Sequence, residues 1–241
     1  MTDQSIAVLY KGGRLPSWEL LSPDQQAAYS QEHVDLMLSV ASEHRMTRLE
    51  GYKLLQPVAD WQRFWVIEFP TANGAEEWVE KEMAPHYGLY GYYEYYLSRP
   101  WGRDRFDNWA TMPLQPRKLS TADPREPHAL GVDMESVVAL TLERWRPGAE
   151  AAAPKERGDQ EHEDLLRAIA RKHGLMRLEA FRLMAPQWEW HEAWLAEFPT
   201  IDGAQAWTDA QSRPARSTYR SSTSYLTRRW SPEYFATWVP R

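Results

Sequence analysis

The chain has 241 residues, of which 43% are hydrophobic and 26% charged, with a formal net charge of −6 and no cysteine. That composition is typical of a folded, water-soluble protein, and the missing cysteines exclude disulfides, thiolate zinc sites and thiol catalysis. The acidic balance argues against a nucleic-acid partner. A first segment without a leader pattern, and no long apolar run anywhere, predict a cytoplasmic protein that spans no membrane.

The first half of the chain predicts strands and helices in alternation. Residues 6–11 are rich in strand-forming residues. Ser22-Pro23-Asp24 then provides a helix start, and apolar residues at three- and four-residue spacing carry this helix to about His44. A second helix is predicted to bury Trp78 and Met83. Two strands are predicted at 47–55 and 63–69, the second helix is predicted to begin at Gly74-Ala75, and a last strand is predicted at 91–98.

The sequence repeats itself at an offset of 129 residues. Residues 31–78 align without a gap onto 160–207, and 21 of these 48 positions are identical. The longest shared runs of the first copy are Gln31-Glu32-His33, Arg48-Leu49-Glu50 and Glu68-Phe69-Pro70-Thr71. Agreement of this extent does not arise by chance, so each half of the chain is predicted to contain one copy of the same unit.

The two copies predict an α+β fold of tandem ferredoxin-like βαββαβ repeats. The first repeat is assigned to residues 1–110 and the second to residues 136–241, with a Pro-rich connector at 111–135. The stretch 147–159, rich in Gly, Ala and Pro, is predicted to be an irregular loop.

A ferredoxin-like unit that occurs twice resembles the dimeric α/β-barrel superfamily, with two copies fused into one chain. That superfamily includes cofactor-free antibiotic-biosynthesis monooxygenases, muconolactone isomerases, polyketide cyclases and EthD-like proteins, and haem-binding relatives such as haem-degrading monooxygenases and chlorite dismutases. The pattern points to the superfamily rather than to one member family. The resemblance implies a barrel closed within one chain, a pseudo-dimer that can oligomerise further, and ligand sites between each sheet and its own helices.

Two histidines and two arginines recur at matching positions and are the candidate catalytic residues. His33 and His162 lie on the inner face of the first helix of each copy, where an imidazole can act as a general base. Arg48 and Arg177 lie on the following strand and could stabilise an enolate or a carboxylate. The alternatives stay open: the histidines could be bonded core residues, and the arginines could form ion pairs with the glutamates two residues further along each strand.

Aromatic residues are abundant enough to line a pocket for a flat ligand. The chain has 13 Trp and 12 Tyr, although most such rings are expected in the core. Copy two has alanine where copy one has Phe64 and Ile67, which predicts a roomier pocket in copy two. The candidate substrate-binding residues are Tyr52, Trp65, Trp190, Trp194, Tyr90 and Tyr219.

Neither a metal site nor a cofactor is predicted from the motifs. No glycine-rich phosphate loop and no metal-ligand spacing of histidines occurs. The resemblance leaves haem as the one exception. Haem-degrading relatives carry an axial histidine near the end of the second helix, so His86, which has no histidine counterpart in copy two, is the candidate ligand if haem binds. Pro85 directly before it would break that helix.

The function predicted from these features and the resemblance is an enzyme of secondary metabolism without a bound metal. It would remove a proton from an aromatic or polyketide-like substrate and stabilise the enolate, as an isomerase, cyclase or cofactor-free monooxygenase does. The alternatives are a non-catalytic ligand-binding or scaffold protein and a haem-binding α/β-barrel protein. Because the copies have diverged, one of the two pockets is predicted to dominate.

Overall fold

A computed structural model describes residues 5–58, 61–84, 86–112, 123–149, 158–185 and 189–240. The predicted α+β class is confirmed, and the described residues form two compact units. Among the described helices, none is both long and apolar enough to cross a membrane. The described residues of unit 1 come from Met1–Arg99, Pro116–Asp133 and Arg229–Arg241, and those of unit 2 from Pro100–Gln115 and Met134–Arg228.

Unit 1 contains a four-stranded antiparallel sheet and two long helices. In chain order its elements are β1 (Ile6–Arg14), α1 (Pro23–Glu43), β2 (Arg48–Val58), β3 (Trp61–Phe69), α2 (Ala72–Glu82) and β4 (Gly91–Trp101). The strands lie in the order β4-β1-β3-β2, and every neighbouring pair is antiparallel.

Unit 2 contains the same kinds of element in the same order. They are β5 (Val137–Trp145), α3 (Gly158–His173), β6 (Arg177–Leu183), β7 (Glu192–Phe198), α4 (Ile201–Gln211) and β8 (Arg220–Trp230). Its strand order is β8-β5-β7-β6, again antiparallel throughout. Short helical turns lie at Pro16–Leu20, Tyr87–Tyr90, Arg103–Phe106, Asp107–Trp109, Pro214–Ser217 and Pro232–Phe235.

The two long helices of unit 1 show where local sequence rules hold and where they fail. Helix α1 begins as predicted: the Ser22 hydroxyl accepts a hydrogen bond from the Gln25 N–H, and the Gln25 side chain accepts one from Ser22 N–H. The predicted burial of Met83 is wrong, because α2 ends at Glu82 and Met83 is 51% exposed. Glu82 is buried in its place, since it follows Trp78 by four residues and so shares its helix face.

The sheet of unit 1 has one face toward its helices and one away from them. Side chains alternate along a strand, so Ile6, Val8 and Tyr10 share one face, and all three join the core that α1 and α2 cover. On β3, Trp65, Ile67 and Phe69 share that core. The helix-side face is therefore where this unit can hold a ligand between sheet and helices.

The two units differ from the predicted segments in two places. Residues 100–110, assigned to the first copy, lie in unit 2 and include the last two residues of β4, and residues 229–240, assigned to the second copy, lie in unit 1 and include the last two residues of β8. Such assignments depend on long-range contacts that leave no local sequence pattern. The predicted connector and loop fall partly outside the described residues, at 113–122 and at 150–157.

Candidate functional site

Unit 1 has a cavity of about 340 Å³ on the helix-side face of its sheet. Sheet residues Tyr10 and Trp65 line it together with His33 of α1 and Glu82 of α2. Residues near 127–130 and 230–238 complete the lining. The volume lies within the range of small-molecule pockets, about 300–1,000 Å³.

Aromatic rings form the apolar walls of this cavity. The Trp65 ring centroid lies 5.5 Å from that of Trp230 and 4.9 Å from that of Phe235. Tyr234 and Phe235 each pack edge-on or tilted against neighbouring rings, including Trp238. Rigid rings at these spacings leave flat apolar surfaces, which suit a planar ligand.

Three glycines make room for the rings of this site. A Cβ added at Gly12 would overlap the Tyr10 ring, and one added at Gly91 would overlap the Tyr93 ring. At Gly51 it would lie 2.7 Å from the nearest Trp65 carbon. The three rings therefore depend on glycine at these strand positions.

Substituting Gly12→Ala tests this dependence. The new methyl group would displace the buried Tyr10 ring, so we expect a loss of about 1–3 kcal/mol of unfolding free energy, the usual cost of overpacking. Urea unfolding measures it. Gly131→Ala is the control for adding a methyl group at a glycine, because the nearest atom to the added carbon is 3.9 Å away and the backbone is not left-handed there. Equal losses in the two variants would show that Tyr10 does not need the space.

His33 and Glu82 form a buried pair at the polar end of the cavity. The His33 Nε2 atom lies 3.6 Å from Glu82 Oε2, and the imidazole stacks on Tyr87 at 3.8 Å between centroids. Burial, helped by the charge of Arg14, lowers the pKa of His33 to about 3. Burial raises the pKa of Glu82 to about 8, against the opposing effect of Arg14. Both groups are therefore uncharged at neutral pH.

A cluster of tyrosines surrounds this pair. The Tyr10 ring centroid lies 6.0 Å from that of Tyr93 and 5.0 Å from that of Tyr95. Burial raises the pKa of all three phenols, and Glu82 adds to the effect. The Tyr95 hydroxyl is buried and has no hydrogen-bond partner among the described residues. The raised pKa values keep these hydroxyls protonated at neutral pH.

Unit 2 has a smaller cavity at the corresponding place. Its volume is about 140 Å³, and His162 lines it with its Nε2 atom 3.1 Å from Gln211 Oε1. On the helix side, this cavity of copy two is therefore smaller than that of copy one, whereas the sequence predicts more room on both faces of the second sheet. Ala193 is in register with Leu142, on the sheet face away from the helices, so its small size adds no space here. Long charged side chains, including Arg220, line what remains.

The strand registers show how the two cavities differ chemically. Tyr10 is paired with Trp65 on one side and Tyr95 on the other. At the same place in unit 2, Thr141 is paired with Trp194 and Ser224. Unit 2 therefore keeps the tryptophan and loses both phenols, and its histidine faces an amide instead of a carboxyl group.

Arg48 and Arg177, predicted as catalytic residues, lie outside both cavity linings. Arg48 donates to Glu50 at 2.6 Å and to Glu68 at 2.8 Å. Arg177 pairs with Glu197 at 3.0 Å. Two of these carboxylate partners, Glu50 and Glu197, are at most 1% exposed. This arrangement supports the ion-pair alternative for both arginines.

The predicted binding residues fall into two groups. Trp65 and Trp194 line the cavities of their units. The other four lie outside the linings: Tyr52, Trp190, Tyr90 and Tyr219. Tyr52 is fully buried and its hydroxyl donates to a Glu50 oxygen at 2.6 Å, while Trp190 is 2% exposed. Tyr90 packs against neighbouring rings of unit 1, and the Tyr219 carbonyl accepts a backbone hydrogen bond in unit 2.

His86, the predicted ligand if haem binds, lies on the surface of unit 1. Its side chain is 56% exposed and its Nδ1 atom lies 3.0 Å from Glu32 Oε2. The ring stacks on Tyr29 at 4.9 Å between centroids. The residue does not line the cavity, so its position argues against an axial role.

Sequence reasoning missed most of the polar groups that line the unit 1 cavity. Tyr10, Arg14, Arg63 and Glu82 all line it, and none is a candidate from sequence. The search for repeated residues favours positions that both copies share, and these four differ between the copies. A change of charge at matched positions, such as Arg63 against Glu192, was the available signal.

The comparisons with known proteins identify a fold. No family model matches the chain, and no curated protein matches it. Among solved structures, a doubly substituted chlorite dismutase from Candidatus Nitrospira defluvii superposes with a TM-score of 0.67 at 9% identity, covering 100% of this chain and 98% of that one. The imidazole complex of the same enzyme gives 0.64 at 10% identity, with 100% and 97% covered. A putative chlorite dismutase gives 0.64 at 12% identity, with both chains covered completely.

These likenesses correct the prediction that the protein needs no cofactor. Solved structures that share the fold over the whole chain are chlorite dismutases, which the resemblance above counts among the haem-binding relatives. The expectation of no cofactor, drawn from missing phosphate and metal motifs, was wrong because haem sites carry no such motif. At 9–12% identity the chain shares the fold of chlorite dismutases.

Proposed function

We propose that the chain is a haem-binding α/β protein and that the unit 1 cavity is its haem site. The observation that carries this proposal is the buried pair of His33 and Glu82 at the polar end of an aromatic cavity. The shared fold with chlorite dismutases supports the proposal at the level of architecture.

His33 would hold the haem iron. Haem iron in proteins is commonly held by a histidine, and the ligating form is the neutral imidazole. Burial keeps His33 neutral, because its pKa falls to about 3. A ligating histidine is usually held at its other ring nitrogen by a carboxyl or carbonyl group. Glu82, whose Oε2 atom lies 3.6 Å from His33 Nε2 and so just beyond hydrogen-bond distance, is the carboxyl group placed to hold it.

The rest of the cavity fits a flat ligand with acidic groups. Tryptophan rings give the flat apolar walls, and the guanidinium groups of Arg14 and Arg63 give positive charge for carboxylates. Glu19 and Pro127 are exposed lining residues, so one side is open to solvent. A bound haem would supply the redox and ligand-binding chemistry of its iron. The protein would supply the hydrogen-bond donor of Tyr10 beside it.

The cavity of unit 2 does not fit a haem. Its volume is about 140 Å³, and the His162 Nε2 atom is 3.1 Å from the Gln211 amide oxygen. The Gln211 amide can form a hydrogen bond with the His162 imidazole, but it cannot take up or release a proton as a carboxyl group can. One cavity is therefore proposed to dominate, and it is that of unit 1.

Titration of the purified protein with haem tests the proposal. We expect saturation at one haem per chain, with a shifted Soret band. His33→Ala should abolish that shift because it removes the iron ligand. Glu82→Gln should weaken haem binding about 10–100-fold, the usual effect of losing the group that orients a ligating histidine. Circular dichroism of each apo variant shows whether it remains folded.

His162→Ala is the matched control, because it removes the corresponding histidine of unit 2. We expect this variant to bind haem like the unmodified protein. Absence of any Soret shift in the unmodified protein would refute the proposal, as would loss of binding in His162→Ala with binding retained in His33→Ala.

A second candidate is a smaller aromatic ligand in the same cavity. The volume of about 340 Å³ favours it, because this is near the lower limit for ligand pockets. In this case His33 and Glu82 would form hydrogen bonds with the predicted aromatic or polyketide-like compound, and Glu82, with a pKa of about 8, would be the group that donates a proton. Calorimetry with aryl compounds separates the two candidates.

The finer predictions about architecture are also proposals. We propose that the two halves descend from one duplicated unit that closes into a barrel within a cytoplasmic chain, and that this pseudo-dimer can oligomerise further. The matching order of elements and the 21 identical positions support duplication. Small-angle scattering and analytical ultracentrifugation test the closed shape and the oligomeric state.

A further inference from the structure

We infer that Arg14 and Arg63 form an anion-binding subsite in the unit 1 cavity, which selects planar aromatic ligands that carry a carboxylate. The inference rests on the proposed ligand-binding role of this cavity, but not on iron or on the axial histidine. Both arginines line the cavity.

The strand register places both guanidinium groups on the helix-side face. Gly12 is paired with Arg63 across β1 and β3. Arg14 follows Gly12 by two residues and therefore points to the same face of the sheet. Tyr10 precedes Gly12 by two residues and shares that face as well. The two cations and the phenol thus converge on one end of the cavity.

Aromatic faces, rather than carboxylates, hold these two cations. The Arg14 guanidinium carbon lies 3.6 Å from the Tyr87 ring centroid and 4.2 Å from that of Trp18. The Arg63 guanidinium carbon lies 4.1 Å from the Trp230 ring centroid. A guanidinium that stacks on a ring keeps its N–H donors along its edge available for a planar anion.

The two arginines form no ion pair among the described residues of the cavity. Among the described residues, neither arginine has a carboxylate within ion-pair distance. The lining carboxyl groups are Glu19, which is exposed, and Glu82, whose ion-pair partner is His33 at 3.6 Å and neither arginine. Burial also lowers the pKa of Arg63, which shows the desolvation that this cation experiences.

In unit 2 the arginine at the corresponding place has ion-pair partners, so the fold does not require unpaired cations there. There Arg220 also stacks on an aromatic ring, with its guanidinium carbon 3.6 Å from the Trp145 centroid. Its Nη1 atom, however, lies 2.6 Å from a Glu143 oxygen and 3.0 Å from a Glu192 oxygen. Glu143 is paired with Glu192 in the register that pairs Gly12 with Arg63 in unit 1.

The two units thus differ in the charges that they place around the corresponding arginines. Unit 2 places two glutamates where unit 1 has a glycine and an arginine, and so neutralises its own cation. Unit 1 leaves two cations without a paired acid in a partly buried cavity, which costs desolvation energy unless a ligand supplies the anion. A carboxylate suits this place because arginine binds it through two parallel N–H donors.

Matched ligand pairs test the subsite in the unmodified chain. The probes are 2-naphthoate against 2-naphthamide, and protoporphyrin IX against its dimethyl ester. None of them contains iron. Calorimetry or quenching of tryptophan fluorescence measures their affinities. We expect each acid to bind at least tenfold more tightly than its neutral partner, because a charge-assisted hydrogen bond replaces a neutral one.

The variants separate binding from stability. Arg63→Gln should weaken binding of the acids by about ten- to a hundredfold and leave the neutral partners unchanged, and Arg63→Lys should restore part of the affinity. Arg220→Gln is the matched control. It should lower Tm, because Glu143 and Glu192 lose their cation, and it should leave the affinity for 2-naphthoate unchanged.

Each outcome bears on the inference in a defined way. Equal affinity for acids and neutral partners, no effect of Arg63→Gln, or no binding of any of the four probes would overturn it. If 2-naphthoate binds through Arg63 but haem does not bind, the subsite stands and the haem proposal fails. If haem binds through His33 while protoporphyrin IX and its dimethyl ester bind equally well, the haem proposal stands and the subsite fails.

Discussion

Replacing Arg48 by leucine is expected to lower the free energy of unfolding by about 3–5 kcal/mol. The guanidinium donates to Glu50 at 2.6 Å and to Glu68 at 2.8 Å. These carboxylates are only 1% and 4% exposed. Removing the cation leaves two charges away from water with less compensation, which costs more than the ion pairs contribute. Urea unfolding at pH 7 measures the loss.

Arg182→Leu is the matched control for this substitution. Arg182 pairs with Glu192 at 3.2 Å, but its side chain is 60% exposed, so the change should cost about 0–1 kcal/mol. Ligand binding in the unit 1 cavity should persist in Arg48→Leu at temperatures where the variant is folded. An unaffected stability with abolished ligand binding would instead support the catalytic role predicted for Arg48.

The fold could be predicted from sequence where the determinants are local. The residues that cap α1, and the alternation of side chains between the two sheet faces along β1 and β3, lie within or beside the element that they determine. The placement of residues 229–240 in unit 1 depends on contacts with residues far away in the chain, and no local pattern carries it. Met83 was predicted to be buried, but the buried residue is its neighbour Glu82 and Met83 is exposed. A shift of one residue along a helix is enough to exchange the two.

The candidate site could be predicted only in part. The repeat pointed to His33 and Trp65, because both copies retain these residues. It also pointed to Arg48, since conserved ion pairs and conserved catalytic groups give the same repeated pattern. Arg14 and Arg63 were invisible to this method, because the site is built from residues that only one copy has. Burial and pairing distinguish these cases, and both require coordinates.

Glu82→Gln is expected to change how stability depends on pH. Burial raises the pKa of Glu82 from its ordinary value of 4.5 to about 8, so the folded state binds a proton that the unfolded state releases between these pH values. Stability therefore falls as pH rises from 4.5 to 8, by an amount on the order of 4 kcal/mol. Glutamine, the residue of unit 2 at this place, binds no proton and removes this fall.

His33 contributes a slope of the opposite sign. Burial lowers its pKa from 6.5 to about 3, so the unfolded state binds the extra proton and stability rises with pH between these values. In the unmodified protein the two slopes cancel between pH 4.5 and 6.5, and stability falls from pH 6.5 to 8 through Glu82 alone. In Glu82→Gln, stability should rise up to pH 6.5 and stay level above it.

Urea unfolding at pH 5, 6.5 and 8 measures these profiles. Glu80→Gln, which removes an exposed carboxyl group from the same helix, is the control and should follow the unmodified protein. Arg14, Arg63 and the Tyr10 hydroxyl face Glu82 and favour its charged form, so Arg63→Gln should steepen the fall above pH 6.5. An unmodified protein whose stability does not fall between pH 6.5 and 8 would show that the Glu82 carboxyl group is already ionised at neutral pH. The Glu82 carboxylate would then be the counter-ion of the two arginines, and it would compete with a carboxylate ligand for their N–H donors.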